Sequence, residues 1–341
     1  MTRAAQARAR DVLEPAHFDY LAGGAGDERT LAANEDAFAR RRLLPRVLRG
    51  PGPHDPSTSV LGTRIASPVV VAPTAFHRLA HPDGEVATGA GVAAAGGLLT
   101  VGMMSTTAVE QVAATGAPLW FQLYVQPDRA FTAAVVARAQ AAGCRALVVT
   151  VDSPVRGRHT RDLHHGFDSL PPGLTCENMR DTDGVVRDLV VDPDLGWDAV
   201  AWLRGTTSLP VLLKGVLHPD DARLAVEHGV DGIVVSNHGG RQLDGAVSTL
   251  DALPAVVDAV GGRVPVLLDG GVRSGVDVLV ALALGADAVM VGRPVLWGLA
   301  LGGADGVRAV LDDLTDGLGH ALALVGAHRA ADLTPDLVVT P

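Results

Sequence analysis

From residue 236 to residue 244 the chain reads SNHGGRQLD, which places an imidazole, His238, three residues ahead of a guanidinium, Arg241. An imidazole titrates near neutral pH and can take a proton from a carbon or a hydroxyl. A guanidinium offers a planar donor fork that grips a carboxylate through two parallel hydrogen bonds. Side by side they suit the removal of a proton from an acid held by its carboxylate. A second group of residues suits another anion: DGGVRSG at 269–275 and VGRP at 291–294 combine glycines with Arg273 and Arg293. Glycine lets backbone N–H groups approach a phosphate closely, and arginine adds a fork of donors. A phosphorylated cofactor or substrate is expected there. Taken singly, each residue has a plainer explanation, since a lone histidine is commonly structural and a lone aspartate commonly caps a helix. They become a site only if one fold gathers them.

Eight short apolar or β-branched runs recur along the chain: 68–73, 97–102, 118–124, 145–152, 209–215, 232–240, 264–271 and 288–293. Such continuous runs suit strands buried on both faces. Between them lie segments of helical spacing that start near Pro, Asp or Ser and end at Gly, such as PDRAFTAAVVARAQAAG and SGVDVLVALALG. Strand then helix, eight times, predicts an α/β chain folded as a (β/α)₈ barrel, in which catalytic residues collect at the C-terminal ends of the strands. Those ends carry Thr74, Gln122, Tyr124, Thr150, Asp152, Lys214, Ser236, His238, Arg241, Asp269, Arg273 and Arg293. An open dinucleotide-binding sheet is the alternative, because Gly89, Gly91 and Ala94 imitate its glycine fingerprint. No strand precedes them, so they read as close-packing positions in the first barrel helix. Residues 1–341 are read as one domain, with 1–60 a helical cap and 61–341 the barrel. The stretch from about 153 to 200 breaks the rhythm after the fourth strand, as a functional lid would.

Composition narrows the partners. With 28 basic and 38 acidic residues the net charge is 28 − 38 = −10, and no basic stripe suits a nucleic acid. Cys144 and Cys176 are too few for a disulfide framework and read as structural. The N-terminal residues lack an apolar targeting region, and the longest weakly polar run, 90–104, is too short to span a bilayer, so a cytoplasmic protein without membrane contact is expected.

Several motifs together resemble the FMN-dependent 2-hydroxy-acid oxidase and dehydrogenase family, which includes glycolate oxidase, lactate oxidase, mandelate dehydrogenase and hydroxymandelate oxidase. They run from FDYLAGGAGDERTLAANEDAF through APTAFHRLAHPDGE, WFQLY, TVD, LLKG and VSNHGGRQLDGA to LDGGVRSG and VGRP. The resemblance implies an enzyme that oxidises an L-2-hydroxy acid to the 2-oxo acid, with bound FMN as electron acceptor and no metal. It implies that Pro73, Thr74 and Ala75 run beside the flavin, and that Gln122, Thr150, Lys214 and Ser236 bond its ring and ribityl chain. Asp269, Gly270, Gly271, Arg273, Gly292 and Arg293 would take the phosphate end. Tyr20, Tyr124 and Arg241 would bind the acid, His238 would act as base with Asp152 supporting it, and Lys214 would steady the reduced flavin. A homotetramer or homo-octamer is implied in the same way.

The chain departs from that pattern at His159, where relatives often carry an arginine that helps bind the substrate carboxylate. The departure leaves an altered substrate open: a bulkier acid, a conjugated or peptide-borne hydroxy acid, or a flavin-binding protein without turnover. The serine that relatives often place against the flavin after the second strand is not evident, since Gly102 and Met103 occupy that region. Phe76, Met104 and Trp120 near the predicted rim point to an aryl, mandelate-like substrate. Ala75 points to oxygen as the final acceptor, with hydrogen peroxide as product. The lid lacks a basic amphipathic stretch for a membrane.

Overall fold

The computed structural model describes residues 2–50, 52–192 and 194–340. Eight parallel strands close into a barrel: β1 (Val69–Val71), β2 (Leu98–Val101), β3 (Leu119–Leu123), β4 (Leu147–Thr150), β5 (Val211–Val216), β6 (Gly232–Val235), β7 (Val266–Asp269) and β8 (Ala288–Val291). β8 pairs with β1, so no strand edge is left. Seven lie within their apolar runs and β5 exceeds its run of 209–215 by one residue, Val216, and closure rules out the open sheet.

Residues two apart on a strand share a face. The outward set, including Val71, Leu99, Phe121, Val149, Leu213, Val235, Leu268 and Val291, joins the large core beneath the surrounding helices. The inward set, including Val70, Leu98, Trp120, Val148, Leu212, Val234, Leu267 and Met290, forms a separate interior core. Trp120 is fully buried in it, so it packs below the rim and does not line a substrate pocket as expected from the sequence. A hairpin of residues 58–60 and 63–65 contributes Val60 and Ile65 to the same interior and plugs that end of the barrel.

Helices occupy only the first part of the predicted 1–60 cap: α1 (Thr2–Val12), α2 (Pro15–Ala22) and α3 (Arg29–Ala39). Residues 42–43 pair with 338–339 instead, tying the segment after α3 to the last part of the chain. The first barrel helix, α4 (Gly84–Ala94), packs on the last helical stretch, Arg293–Val325, which kinks at Gly302 and Gly303. A Cβ on Gly91 would overlap the Ala304 carbonyl, and one on Gly89 would lie 2.7 Å from Thr115 Oγ1. Those glycines serve helix packing. Between β4 and helix Trp197–Thr206, the lid holds the short helix Thr160–His165. Arg161 pairs with Asp19 at 3.1 Å and Glu28 at 2.5 Å, and His165 meets Asp19 at 2.7 Å, which docks the lid on the α2–α3 segment. No helix among the described residues is long and apolar enough to cross a membrane.

Candidate active site

One step above the interior core, the inward positions turn polar. Gln122 follows Trp120, Thr150 follows Val148, Lys214 follows Leu212, Ser236 follows Val234, and Asp269 follows Leu267. Above them opens a cavity of about 580 Å³, the size of pockets that enclose a cofactor or drug-sized molecule.

His238 stands at its wall with φ of 60°, a left-handed conformation that is strained for a residue with a Cβ. The surrounding loop fixes it there. Its N–H donates to Ser236 Oγ at 3.1 Å, and Asn237 Oδ1 accepts from the Gly240 N–H at 3.1 Å. Asn237 also exchanges two amide hydrogen bonds with Asn34 of α3, at 2.9 and 2.8 Å. Gly240, with φ of 75°, sits where a Cβ would come within 2.6 Å of the Leu31 N–H. Glycine at residue 240 is therefore a conformational requirement, whereas His238 is held in its strained conformation by the loop. His238 Nδ1 lies 2.9 Å from Asp152 Oδ1, which leaves Nε2 for a reacting proton. Burial raises the Asp152 carboxyl, but His238 and then Lys214 more than offset that, so it stays ionised below the usual carboxylate range. This is the arrangement in which an aspartate orients a basic histidine and favours its protonated form.

Lys214 Nζ donates to Ser236 Oγ at 2.9 Å and pairs with Asp269 Oδ2 at 3.1 Å. Burial lowers its ammonium, but Asp269 and Asp152 outweigh burial and keep it charged. Gln122 Nε2 donates to Thr150 Oγ1 at 3.0 Å, while its Oε1 accepts from the Met103 N–H at 3.1 Å. The other oxygen of Asp269, Oδ1, is buried without a partner among the described residues. A buried acceptor of that kind needs a donor. A ribityl hydroxyl satisfies it and a phosphate, which would repel it, does not, so Asp269 fits the sugar-alcohol chain of FMN and not the phosphate end expected for it.

At the phosphate end, Gly270 and Gly271 have φ of 88° and 86°. A Cβ on Gly271 would overlap the Asn34 carbonyl, so these positions admit only glycine. Arg273 pairs with Glu35 at 2.9 Å. The Arg293 guanidinium donates to the carbonyls of Ala22 at 3.1 Å, Gly239 at 2.9 Å and Gly23 at 2.7 Å. Three of the five N–H groups of an arginine are thereby spent on backbone, and what remains for a phosphate is one N–H on each of Nη1 and Nη2, the charge and the start of its helix. Burial, then Arg241 and Arg273, push its guanidinium down to about 9. A bound anion would relieve that repulsion. The lysine, amide, hydroxyl, glycine and arginine groups together fit FMN.

On the opposite wall, Arg241 donates through Nη1 to the carbonyls of Tyr20 at 2.7 Å and Gly23 at 2.9 Å, and its guanidinium lies 4.9 Å from the Tyr20 ring centroid. Tyr20 stacks on Phe76 at 5.5 Å and meets Phe167 at 5.1 Å, giving an aromatic wall that Met104 extends. Burial, and then Asp152, push the Tyr124 hydroxyl up, so it remains a donor.

Of the residues expected from sequence, Pro73, Thr74, Ala75, Gln122, Tyr124, His159, Lys214, His238, Arg241, Asp269, Gly270, Gly271, Arg273, Gly292, Arg293 and Tyr20 line the cavity. Thr150, Asp152 and Ser236 stand behind that lining, touching it through Gln122, His238 and Lys214. Sequence reasoning missed Asn34, Phe167 and His77. His77 is buried, with Nε2 2.6 Å from Thr74 Oγ1 and Nδ1 2.8 Å from Thr88 Oγ1. Burial lowers its imidazole more than Glu85 raises it, which keeps the ring neutral beside Thr74. Its place inside APTAFHRLAHPDGE was the one available signal.

The family model described as FMN-dependent dehydrogenase matches residues 9–340. The chain is 46% identical to an L-lactate oxidase of Nostoc sp. over 95% of this chain and 94% of the relative. A solved mandelate oxidase variant with (S)-mandelic acid superposes with a TM-score of 0.93 at 43% identity, covering 100% of this chain and 98% of that one. Mandelate oxidase with (S)-2-phenylpropionate gives 0.93 at 44% identity, with the same coverage of 100% and 98%.

Proposed function

The chain belongs to the FMN-dependent dehydrogenase family, and on that premise we propose that it oxidises an L-2-hydroxy acid with an aryl, mandelate-like side chain to the 2-oxo acid. The observation that carries this reading is the His238–Asp152 pair, 2.9 Å apart, at one cavity with Arg241. FMN, held by Gln122, Lys214, Asp269 and the glycine and arginine cluster with Thr150 and Ser236 behind them, supplies the two-electron acceptor when bound.

Every other task falls to this chain's own side chains. Arg241 anchors the carboxylate through charge-assisted hydrogen bonds of roughly 1.5–3 kcal/mol, with Tyr20 and Tyr124 beside it. Its Nη1 is held by backbone carbonyls, so the grip falls to the Nε–Nη2 edge. His238 Nε2 then takes the proton released as the α-carbon is oxidised, and ionised Asp152 stabilises the resulting imidazolium. Lys214 places a buried positive charge at the cavity floor, where it opposes the negative charge that accompanies reduction. Tyr20, Phe76 and Phe167 face the side chain of the acid and favour an aromatic ring over a methyl group. The lid helix, docked by Arg161, limits access of water.

The relatives named as oxidases support oxygen as the final acceptor, with hydrogen peroxide released. A cytoplasmic homotetramer or homo-octamer is part of the same proposal and rests on the resemblance. Purified protein loaded with FMN tests the reading: anaerobic addition of (S)-mandelate bleaches the flavin, and admitted oxygen restores the colour. A flavin left unbleached by mandelate, lactate and glycolate overturns it.

A further inference from the structure

His159 marks the departure seen in the sequence, and its surroundings give it a specific state. Nδ1 lies 2.9 Å from Asp162 Oδ2, and Nε2 lies 2.9 Å from the Arg241 carbonyl oxygen. Both partners are acceptors. A neutral imidazole carries one N–H and leaves one of them unsatisfied, whereas the doubly protonated ring satisfies both. Asp162 is 5% exposed, so its carboxylate has little water to turn to. Arg241 Nη2 stands 3.5 Å from Nδ1, farther than Asp162, and a neutral ring accepting from it would set its lone pair against the carboxylate. Asp162 from the helix that follows His159 favours a positive ring, and the Arg241 guanidinium from the loop after β6 opposes it from farther away. Arg241, Asp162, Arg156 and Cys176 also act on the neighbouring Tyr20 hydroxyl of α2.

With both nitrogens committed, His159 has no donor left for a substrate. It acts through Arg241, whose carbonyl it holds and whose Nη1 is fixed separately by the Tyr20 and Gly23 carbonyls. Gly157 leaves room for the same carbonyl, which a Cβ there would overlap. Resting on the 2-hydroxy-acid reading above, we infer that His159 is a positioning residue working as an imidazolium: pinned by Asp162, it holds the Arg241 backbone where the guanidinium meets the substrate carboxylate. Loss of its proton frees one of the two contacts and weakens the grip on the acid. The anchor is therefore pH-sensitive, which an arginine at residue 159 would not be.

The test uses the FMN-loaded enzyme and (S)-2-phenylpropionate, a carboxylate with no hydroxyl to oxidise, its binding read from the visible spectrum of the flavin and from calorimetry. As the solution is taken from acid to alkaline, the wild-type Kd rises. Any dependence that comes from the rest of the site is retained by His159→Gln, so the share of His159 is the difference between the two proteins. That share is about tenfold or more, the worth of one charge-assisted hydrogen bond. His159→Gln binds weakly at both ends of the range, while His159→Arg binds tightly at both, which also shows that the site tolerates substitution. The limiting rate of flavin reduction at saturating mandelate stays level over the alkaline half in all three. Equal pH dependence in wild type and His159→Gln, an alkaline change in the limiting rate instead of Kd, or no binding at any pH overturns the inference. Failure of the 2-hydroxy-acid reading shows separately, as a wild-type flavin that no hydroxy acid reduces at any pH.

Discussion

The lower inward layer of the barrel, with Trp120, Val148, Leu212, Val234 and Leu267, and the layer one step above it, with Gln122, Thr150, Lys214, Ser236 and Asp269, stand on the same five strands. The lower layer is apolar except for the Trp120 indole N–H, which like Asp269 Oδ1 above it has no hydrogen-bond partner among the described residues, and it packs against the Val60–Ile65 hairpin. The upper layer is also buried, yet every member carries a polar group. Two residues of rise, about 6.6 Å of strand, separate a layer held by apolar packing from one whose polar groups surround a ligand cavity. Stability and chemistry therefore divide by height in the barrel.

Substitutions on either side of that divide should behave differently. Lys214→Met in the upper layer has the largest effect, because it leaves Asp269 buried without its cation. A loss of about 3–5 kcal/mol is expected, seen as a lower denaturation midpoint, together with slower flavin reduction by substrate. An unchanged midpoint with full reduction would erase the distinction. Trp120→Ala in the lower layer should cost about 3–5 kcal/mol through the cavity it opens, measured by urea unfolding, with the loss confined to stability. Asn34→Ala tests how α3 supports the His238 loop. Removing half of a buried amide pair costs about 1–3 kcal/mol, and weaker FMN retention should accompany the fall in melting temperature. Arg308→Ala breaks an exposed Arg308–Asp312 ion pair of 3.2 Å far from both layers. It should change stability by no more than about 0.5 kcal/mol, and calorimetry that found a loss of about 3–5 kcal/mol, the cost expected in the layers, would show that surface charge matters here as much as either of them.

The barrel strands were legible because each is a continuous apolar run, buried on both faces, and the polar residues at their ends mark the reactive rim. The hairpin at 58–65 was not, since three-residue strands around a turn leave no periodic signal. The predicted helical cap ran past Ala39 although Pro45, the GPGP run at 50–53 and Pro56 are stop signals that the sequence does show. Trp120 was misplaced because a strand residue's height within a barrel depends on register, which a single chain does not display. Asn34 and Asn237 lie 203 residues apart, and no local pattern announces such a pair. His159 was recognisable as a departure, but its two acceptors became visible only when the lid and the loop after β6 met. Arg293 was read as a phosphate ligand from its motif, and only the fold shows that three of its N–H groups also hold the carbonyls of Ala22, Gly23 and Gly239.

Anaerobic mixing of the FMN-loaded protein with saturating (S)-mandelate, compared between wild type and His238→Gln, tests most directly whether His238 is the base of a 2-hydroxy-acid oxidation. Rapid bleaching in the wild type and bleaching slowed by about 10²–10⁴-fold in the variant, with both proteins still binding (S)-2-phenylpropionate, is the predicted result. Equal rates in the two proteins, or no bleaching in the wild type, would contradict it.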